Sequence, residues 1–437
     1  MVVTLVRMAV LATAMVTVAG TQRTAIKPRL LFVSTTGDDT HEGDSAHPYR
    51  TIQRATDSAR PGDTVTIRGG TYFENVKLTT SGNFFNRQIV IQAAANEKVI
   101  LDGSRNPGGS AIFDTAGQDH LVIKGITVQN SSYSGIAVNG SYRVRVEDCH
   151  TEHTPGSGII IDKAHDVVVS HCDVSKACMR GGEESVSIKR SAQVVFENST
   201  VHDTFHEGID VKEGSIDVLV RRNSVHHVER QGLYADAWDA DTGRIRFEGN
   251  VIHDCMVGLV ACTETGGFLH DVEFVNNVVY DCRGPGMMVA KWGNQRMNHR
   301  IRNVTYLNNT VVNCGGPGKN GIWAGGMLME NDQAENVTVL NNIFSGNGFA
   351  QFRVTLNLAP KHIAAKRNLI DGVGENITSD NLVGAVHFVD PVNKDFRLAP
   401  DSLGIGAGVI VDGVGEFDAA GNPRVRGQKI DIGAYQR

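Results

Sequence analysis

Short runs of alternating apolar and polar residues recur along this chain, bounded by glycine, asparagine and aspartate. Five of them align on one Xaa-Gly-Ile-like phrase: Gly158-Ile159-Ile160-Ile161-Asp162, Ser185-Val186-Ser187-Ile188-Lys189, Gly208-Ile209-Asp210-Val211-Lys212, Gly232-Leu233-Tyr234-Ala235-Asp236 and Gly258-Leu259-Val260-Ala261-Cys262. A period of two is the signature of a strand with one buried face. The alternation sends Ile159, Val186, Ile209, Leu233 and Leu259 inward, together with Ile161, Ile188, Val211 and Ala235, and leaves the residues between them facing solvent.

A second phrase follows these runs. Val195-Phe196-Glu197-Asn198-Ser199, Val220-Arg221-Arg222-Asn223-Ser224, Phe247-Glu248-Gly249-Asn250-Val251, Val275-Asn276-Asn277-Val278, Leu307-Asn308-Asn309-Thr310 and Leu340-Asn341-Asn342-Ile343 repeat every 23–33 residues. Cys149 and Cys172 hold the asparagine position in two earlier copies. A fixed period of this size marks a solenoid whose units bury their apolar faces only by stacking. The predicted fold is all-β: a parallel β-helix with one coil per repeat and an internal asparagine ladder at one turn. The sequon Asn198-Ser199-Thr200 is placed on that ladder and is therefore not read as a glycan site.

The ends read differently. Arg7 precedes the apolar run Met8–Ala19, the pattern of a signal peptide over residues 1–20, and implies a secreted or periplasmic protein. No later segment has the length of a membrane span. A single β-helix domain is expected over 29–437, with an N-terminal cap over 29–75 and a closing segment over 380–437. Within the cap, Leu31–Ser34 and Thr64–Ile67 read as strands and Thr51–Ala59 as a short helix covering the open end of the solenoid.

Pro48-Tyr49-Arg50-Thr51-Ile52-Gln53-Arg54-Ala55, Pro61-Gly62-Asp63-Thr64-Val65 and Gly70-Thr71-Tyr72 resemble the opening of secreted right-handed β-helix proteins of the pectate-lyase-like superfamily. Asp395-Phe396-Arg397-Leu398-Ala399-Pro400, Asp418-Ala419-Ala420-Gly421-Asn422-Pro423-Arg424 and Asp431-Ile432-Gly433-Ala434-Tyr435 resemble their C-terminal segment. That resemblance implies the right-handed form of the helix and a polysaccharide partner. It does not select a reaction.

Composition adds limits. A net charge of -6 gives no case for nucleic-acid binding, and 48 glycines suit many tight corners. Seven cysteines show no zinc spacing. Cys255, Cys282 and Cys314 follow the ladder at similar offsets. Export would permit a Cys255–Cys282 disulfide, but buried thiols are the expectation.

The candidate chemistry lies on two outward columns, Asp162–Lys189–Lys212–Asp236–Cys262 and Ile160–Ser187–Asp210–Tyr234–Val260. Glu183-Glu184, His206-Glu207 and Arg230-Gln231 stand just before the strands. Coils stack about 4.8 Å apart, which gathers these groups on one face. Lys189 above Lys212 is the sharpest feature, because stacked like charges need an anion to answer them. The ordinary alternative is a surface ladder of ion pairs. Glu207, Arg230, Tyr234, Trp238 and Trp292 are the candidate substrate contacts. The two tryptophans could stack on sugars or simply pack their loops, while Arg296, His299 and Arg300 are read as solvated.

Two reactions compete on a face that is expected to form a long open groove. In β-elimination on a uronic-acid polymer, a base removes a weakly acidic proton while a cation neutralises the neighbouring carboxylate. The arrangement resembles polysaccharide lyase family 6, the alginate and dermatan lyases. That resemblance implies Ca²⁺ held by Glu183 and Glu184, with Lys189 as base. Lys212 stands where that family has arginine. Polysaccharide lyase family 9 is a second resemblance, with Asp210 and Asp236 fitting its calcium aspartates loosely. In hydrolysis, Asp210 and Asp236 would act as paired carboxylates on adjacent coils, with Glu207 and Glu264 nearby. The Asn-Thr-Asp and Gly-His-Gly phrases of polygalacturonases are absent. A non-catalytic glycan-binding β-helix is the third reading.

Overall fold

The computed structural model describes residues 27–85, 87–105, 108, 111–316, 325–355, 362–372 and 380–437. The expected signal peptide lies outside the described residues.

Each coil contributes one strand to each of three parallel sheets. Among the described residues these hold 13, 11 and 13 strands. The first sheet runs from Leu30–Val33 to Ile363–Lys366, the third from Gly70–Tyr72 to Leu382–Val383. The 11-stranded sheet between them, from Val76–Lys77 to Phe352–Val354, carries the five aligned strands and is called the site sheet below. Every inward residue expected from the alternation is buried in one continuous core. Phe247, Phe274 and Tyr306 stack in register inside it, with ring centroids 4.9 and 4.8 Å apart.

The glycine of the Xaa-Gly-Ile phrase has a packing cause. An inward valine or isoleucine of the third sheet approaches the glycine that opens four of the five aligned strands, the other opening with Ser185. A Cβ on Gly158 would lie 2.5 Å from Val174 Cγ1, and one on Gly232 2.5 Å from Ile252 Cγ2. Only glycine fits such an approach.

The asparagine ladder is present. Asn223, Asn250, Asn277, Asn309, Asn342, Asn368 and Asn381 each pass a side-chain amide bond to the next, at 2.8–3.0 Å. In the first repeat the ladder residue is Ser199, whose Oγ accepts from Cys172 N at 3.0 Å and whose N–H reaches Asn223 Oδ1 at 3.0 Å. Asn198 is exposed at the corner with φ of 51°. This corrects the expectation that its sequon lies on the ladder. The residue before the ladder turns the corner in the left-handed region, at Asp148, Asn276, Asn308 and Asn341 among others. Asp and Asn tolerate that conformation better than most side chains. All seven cysteines are free and buried, so Cys255 and Cys282 stack as thiols.

At the N-terminus the helix spans Ile52–Ser58. Thr51 Oγ1 accepts from Arg54 N, and the Glu74 carboxylate accepts from the Ile52 and Gln53 N–H groups. It buries Ile52, Ala55 and Thr56 against the first coil. The C-terminal segment does not plug the far end. It turns back along the flank, over the corners where the first and third sheets meet. There Asn276 Nδ2 donates to Val414 O and Phe417 O, Asn308 Nδ2 to Asp431 O, and Asn341 Nδ2 to Val409 O. In each Asn-Asn doublet, then, the first asparagine holds this strap outside and the second builds the ladder inside.

Candidate functional site

Strand register brings the expected columns together. Asp162 pairs with Lys189, Lys189 with Lys212, Lys212 with Asp236 and Asp236 with Cys262. Ile160, Ser187, Asp210, Tyr234 and Val260 pair in the same way beside them.

The face is not the open groove expected. Asp210 and Asp236 are each 1% exposed, and Ser187, Tyr234 and Val260 are also buried. Loops after the strands fold over it. Toward the C-terminal coils, Tyr234, Val260, Cys262, Met288 and Leu328 form a second apolar cluster on the outer side of the site sheet, flanked by Trp292. Trp292 meets the Tyr234 ring at 5.8 Å and donates Nε1–H to Glu330 at 3.0 Å, so it packs its loop. His299, expected in solvent, is buried and contacts the Thr263 and Asn294 carbonyls, whereas Arg296 and Arg300 are exposed as expected.

The two lysines differ in their surroundings. Lys212 Nζ donates to Glu184 Oε1 at 2.8 Å and lies 3.6 Å from Asp210 Oδ2. The Trp238 ring sits 5.5 Å from the same nitrogen. Burial alone would lower the affinity of Lys212 for its proton, but Asp210 and Glu184 outweigh it and hold the ammonium charged well beyond the ordinary lysine range. Lys189 Nζ has Glu183 Oε2 at 3.6 Å.

The aspartates are pushed the other way. Burial drives the Asp210 carboxyl well above the carboxylate range; Lys212 opposes this, and Glu184, Asp236 and Glu207 reinforce it. Neither Asp210 oxygen has a hydrogen-bond partner among the described residues. Burial and then Glu264 raise Asp236 to about 8, although Oδ1 accepts the Trp238 N–H at 2.8 Å. Asp236 therefore carries a proton at neutral pH, and the Asp210 carboxyl is displaced in the same direction. Glu207 is also buried, but the His206 imidazole and the Arg230 guanidinium at 3.2 Å draw it below its ordinary value. Tyr234 OH donates to Glu264 Oε1 at 2.7 Å.

The glutamate doublet is used differently from the expected calcium pair. Glu184 accepts from Ser187 Oγ and Lys212, whereas Glu183 faces Lys189 and accepts from Tyr133 OH at 3.2 Å. The two carboxylates do not converge, and each already meets an ammonium. No group of three or more His, Cys, Asp or Glu suited to a metal occurs among the described residues. The residues present do not fit Ca²⁺ in that role. Tyr133 and Ser187 were not legible as site residues: Tyr133 comes from an earlier coil, and Ser187 is one polar residue among many.

Comparison with known proteins supports the fold. The family described as "Pel9A-like, right handed beta helix region" matches residues 31–178, and "Right handed beta helix region" matches 241–368. The chain is 26% identical to the uncharacterized protein YwoF of Bacillus subtilis over 74% of its length and 77% of that protein. It is 33% identical to pectate lyase PEL9 of Emericella nidulans over 28% of its length and 31% of that lyase. Among solved structures it superposes on XylC in complex with xylose with a TM-score of 0.61 at 13% identity, covering 93% of this chain and 98% of that one. Pectate lyase Pel9A gives 0.56 at 15% identity, with 94% and 96% covered. The family 28 exopolygalacturonase of Yersinia enterocolitica gives 0.53 at 17%, with 80% of each covered.

Proposed function

We propose, from the premise that this chain is a right-handed β-helix protein of the pectate-lyase-like kind, that it is an exported polysaccharide lyase cleaving a uronic-acid-containing polymer. One observation carries this reading: two lysines stack on adjacent strands, and only one of them is clamped between carboxyl groups. Lys212, fixed and charged, faces the uronate carboxylate and offsets the charge that builds when C5 loses its proton. Lys189 is the base and takes that proton. The electron pair forms the C4–C5 double bond as the C4–O bond breaks, and the departing oxygen takes up a proton. Water at the site supplies that proton, because Asp236, the proton-bearing carboxyl next in the Lys212 column, is buried. No step requires a metal.

Pectate, alginate, dermatan and neutral glycans, each with and without chelator, test the reading. The expected product is an unsaturated uronide with its ultraviolet chromophore, formed equally in both conditions. Lys189→Ala is expected to lower turnover by at least about 100-fold, with an unchanged circular dichroism spectrum. Full activity in that variant removes the lysine base.

A second reading, hydrolysis, is favoured by the carboxyl pair Asp210 and Asp236 on adjacent strands, of which Asp236 keeps its proton at neutral pH and would be the acid. It is distinguished by new reducing ends without the chromophore, and by dependence on the two aspartates rather than Lys189.

A further inference from the structure

We infer that Glu183 and Glu184 are positioning residues that divide the labour between the two lysines, each acting through a hydroxyl–carboxylate–ammonium chain of different tightness. The inference rests on the elimination reading. In the tight chain, Ser187 Oγ donates to Glu184 Oε2 at 2.8 Å and Lys212 Nζ donates to Glu184 Oε1 at 2.8 Å. Glu184 is itself buried, at 6% exposure, so this ion pair is little screened. In the loose chain, Tyr133 OH donates to Glu183 Oε1 at 3.2 Å, and Glu183 Oε2 lies 3.6 Å from Lys189 Nζ, beyond hydrogen-bond length. Tyr133 is 38% exposed, so the loose chain opens to solvent.

The asymmetry follows from the sequence. Adjacent residues in this pre-strand segment send their carboxylates to different neighbours. Glu184 reaches along its own strand to Ser187 and across to the next coil, where Lys212 stands. Glu183 reaches back to Tyr133 and to the end of its own strand. A lysine gripped at 2.8 Å stays charged and fixed, as a counter-ion to a substrate carboxylate must. A lysine whose carboxylate partner lies at 3.6 Å is free to shift toward the substrate. Two chemically identical residues thereby receive different roles.

Competitive acetylation of the full chain with acetic anhydride, read by mass spectrometry on the peptides carrying Lys189 and Lys212, measures the division directly. In the unaltered protein Lys189 is expected to react at least about fivefold faster than Lys212. Glu184→Gln is expected to raise Lys212 labelling about tenfold, equivalent to one unit of proton affinity, and to leave Lys189 within about twofold. Glu183→Gln is expected to raise labelling at Lys189 alone. Ser187→Ala shifts Lys212 less than Glu184→Gln does, and Ser187→Thr restores it. This serine pair supplies the same readout if Glu184→Gln fails to fold. Equal labelling of the two lysines in the unaltered protein overturns the inference, as does an unmoved Lys212 in Glu184→Gln.

Kinetics add a second readout. Without its clamp Lys212 loses its proton at lower pH, so the alkaline fall in kcat/KM of Glu184→Gln moves to lower pH and KM rises more than kcat falls. A clamp seen by labelling in a protein that yields no unsaturated product overturns the elimination reading and leaves the clamp standing. An unsaturated product with symmetrical labelling does the reverse.

Discussion

Asp236 shows how burial reshapes a single side chain. Its carboxyl keeps a proton to about pH 8, against 3.8 for an ordinary aspartate, because it is buried and faces Glu264. The sign of the consequence is fixed. Between pH 3.8 and about 8 the unfolded chain has released this proton and the folded chain has not. The folded state therefore binds more protons over that window, and stability declines as pH rises through it. Asp236→Asn, which cannot ionise, is expected to remove that decline. Its melting temperature should gain about 2 °C or more on the unaltered protein between pH 4 and pH 8, followed by scanning calorimetry. Equal shifts at both pH values would show that Asp236 is ionised in the fold. The identity and column of this residue were legible from the alternation, because register follows from the recurring phrase. Its burial was not. Outward-facing residues of a strand are polar and wet by default, and nothing in Tyr234 or Asp236 announces the loops that cover them.

At the scale of one element, the ladder separates two asparagines that look alike in the chain. Asn277 accepts from Asn250 N and Nδ2, and donates to Asn309 Oδ1 and Phe247 O, all within the core. Asn277→Ala leaves these partners unpaired and should cost about 2–4 kcal/mol. Asn198 stands at the exposed corner, and Asn198→Asp keeps a side chain suited to its positive φ, so it should shift stability by less than about 0.5 kcal/mol. Chemical denaturation of the two variants compares them. The repeat period made the ladder readable, and the doublets Asn276-Asn277, Asn308-Asn309 and Asn341-Asn342 marked its position to within one residue. What they left open is why the doublet exists. The answer involves a segment 68 to 141 residues further along the chain, and short-range pattern carries no trace of that contact. In the first repeat Ser199 serves as the ladder residue, so the same phrase pointed one position too early.

For the whole molecule, the strap is the distinguishing feature. Residues 404–437 cover Val275, Leu307, Ile343 and Leu369 and anchor to the outer asparagines of three coils. A chain ending at residue 403 is expected to keep its strand signal in circular dichroism yet bind a hydrophobic dye and melt at lower temperature. Normal melting with no dye binding would show the strap to be dispensable. The terminal motifs were legible as a closing segment, but not the direction in which it closes. Sequence order suggests a plug at the last coil, while the structure lays the segment back over earlier ones. A ribosome delivers these residues after every coil they cover has emerged. The flank of a nascent chain thus stays bare until the strap is made, and in that interval the covered coils lack their lock.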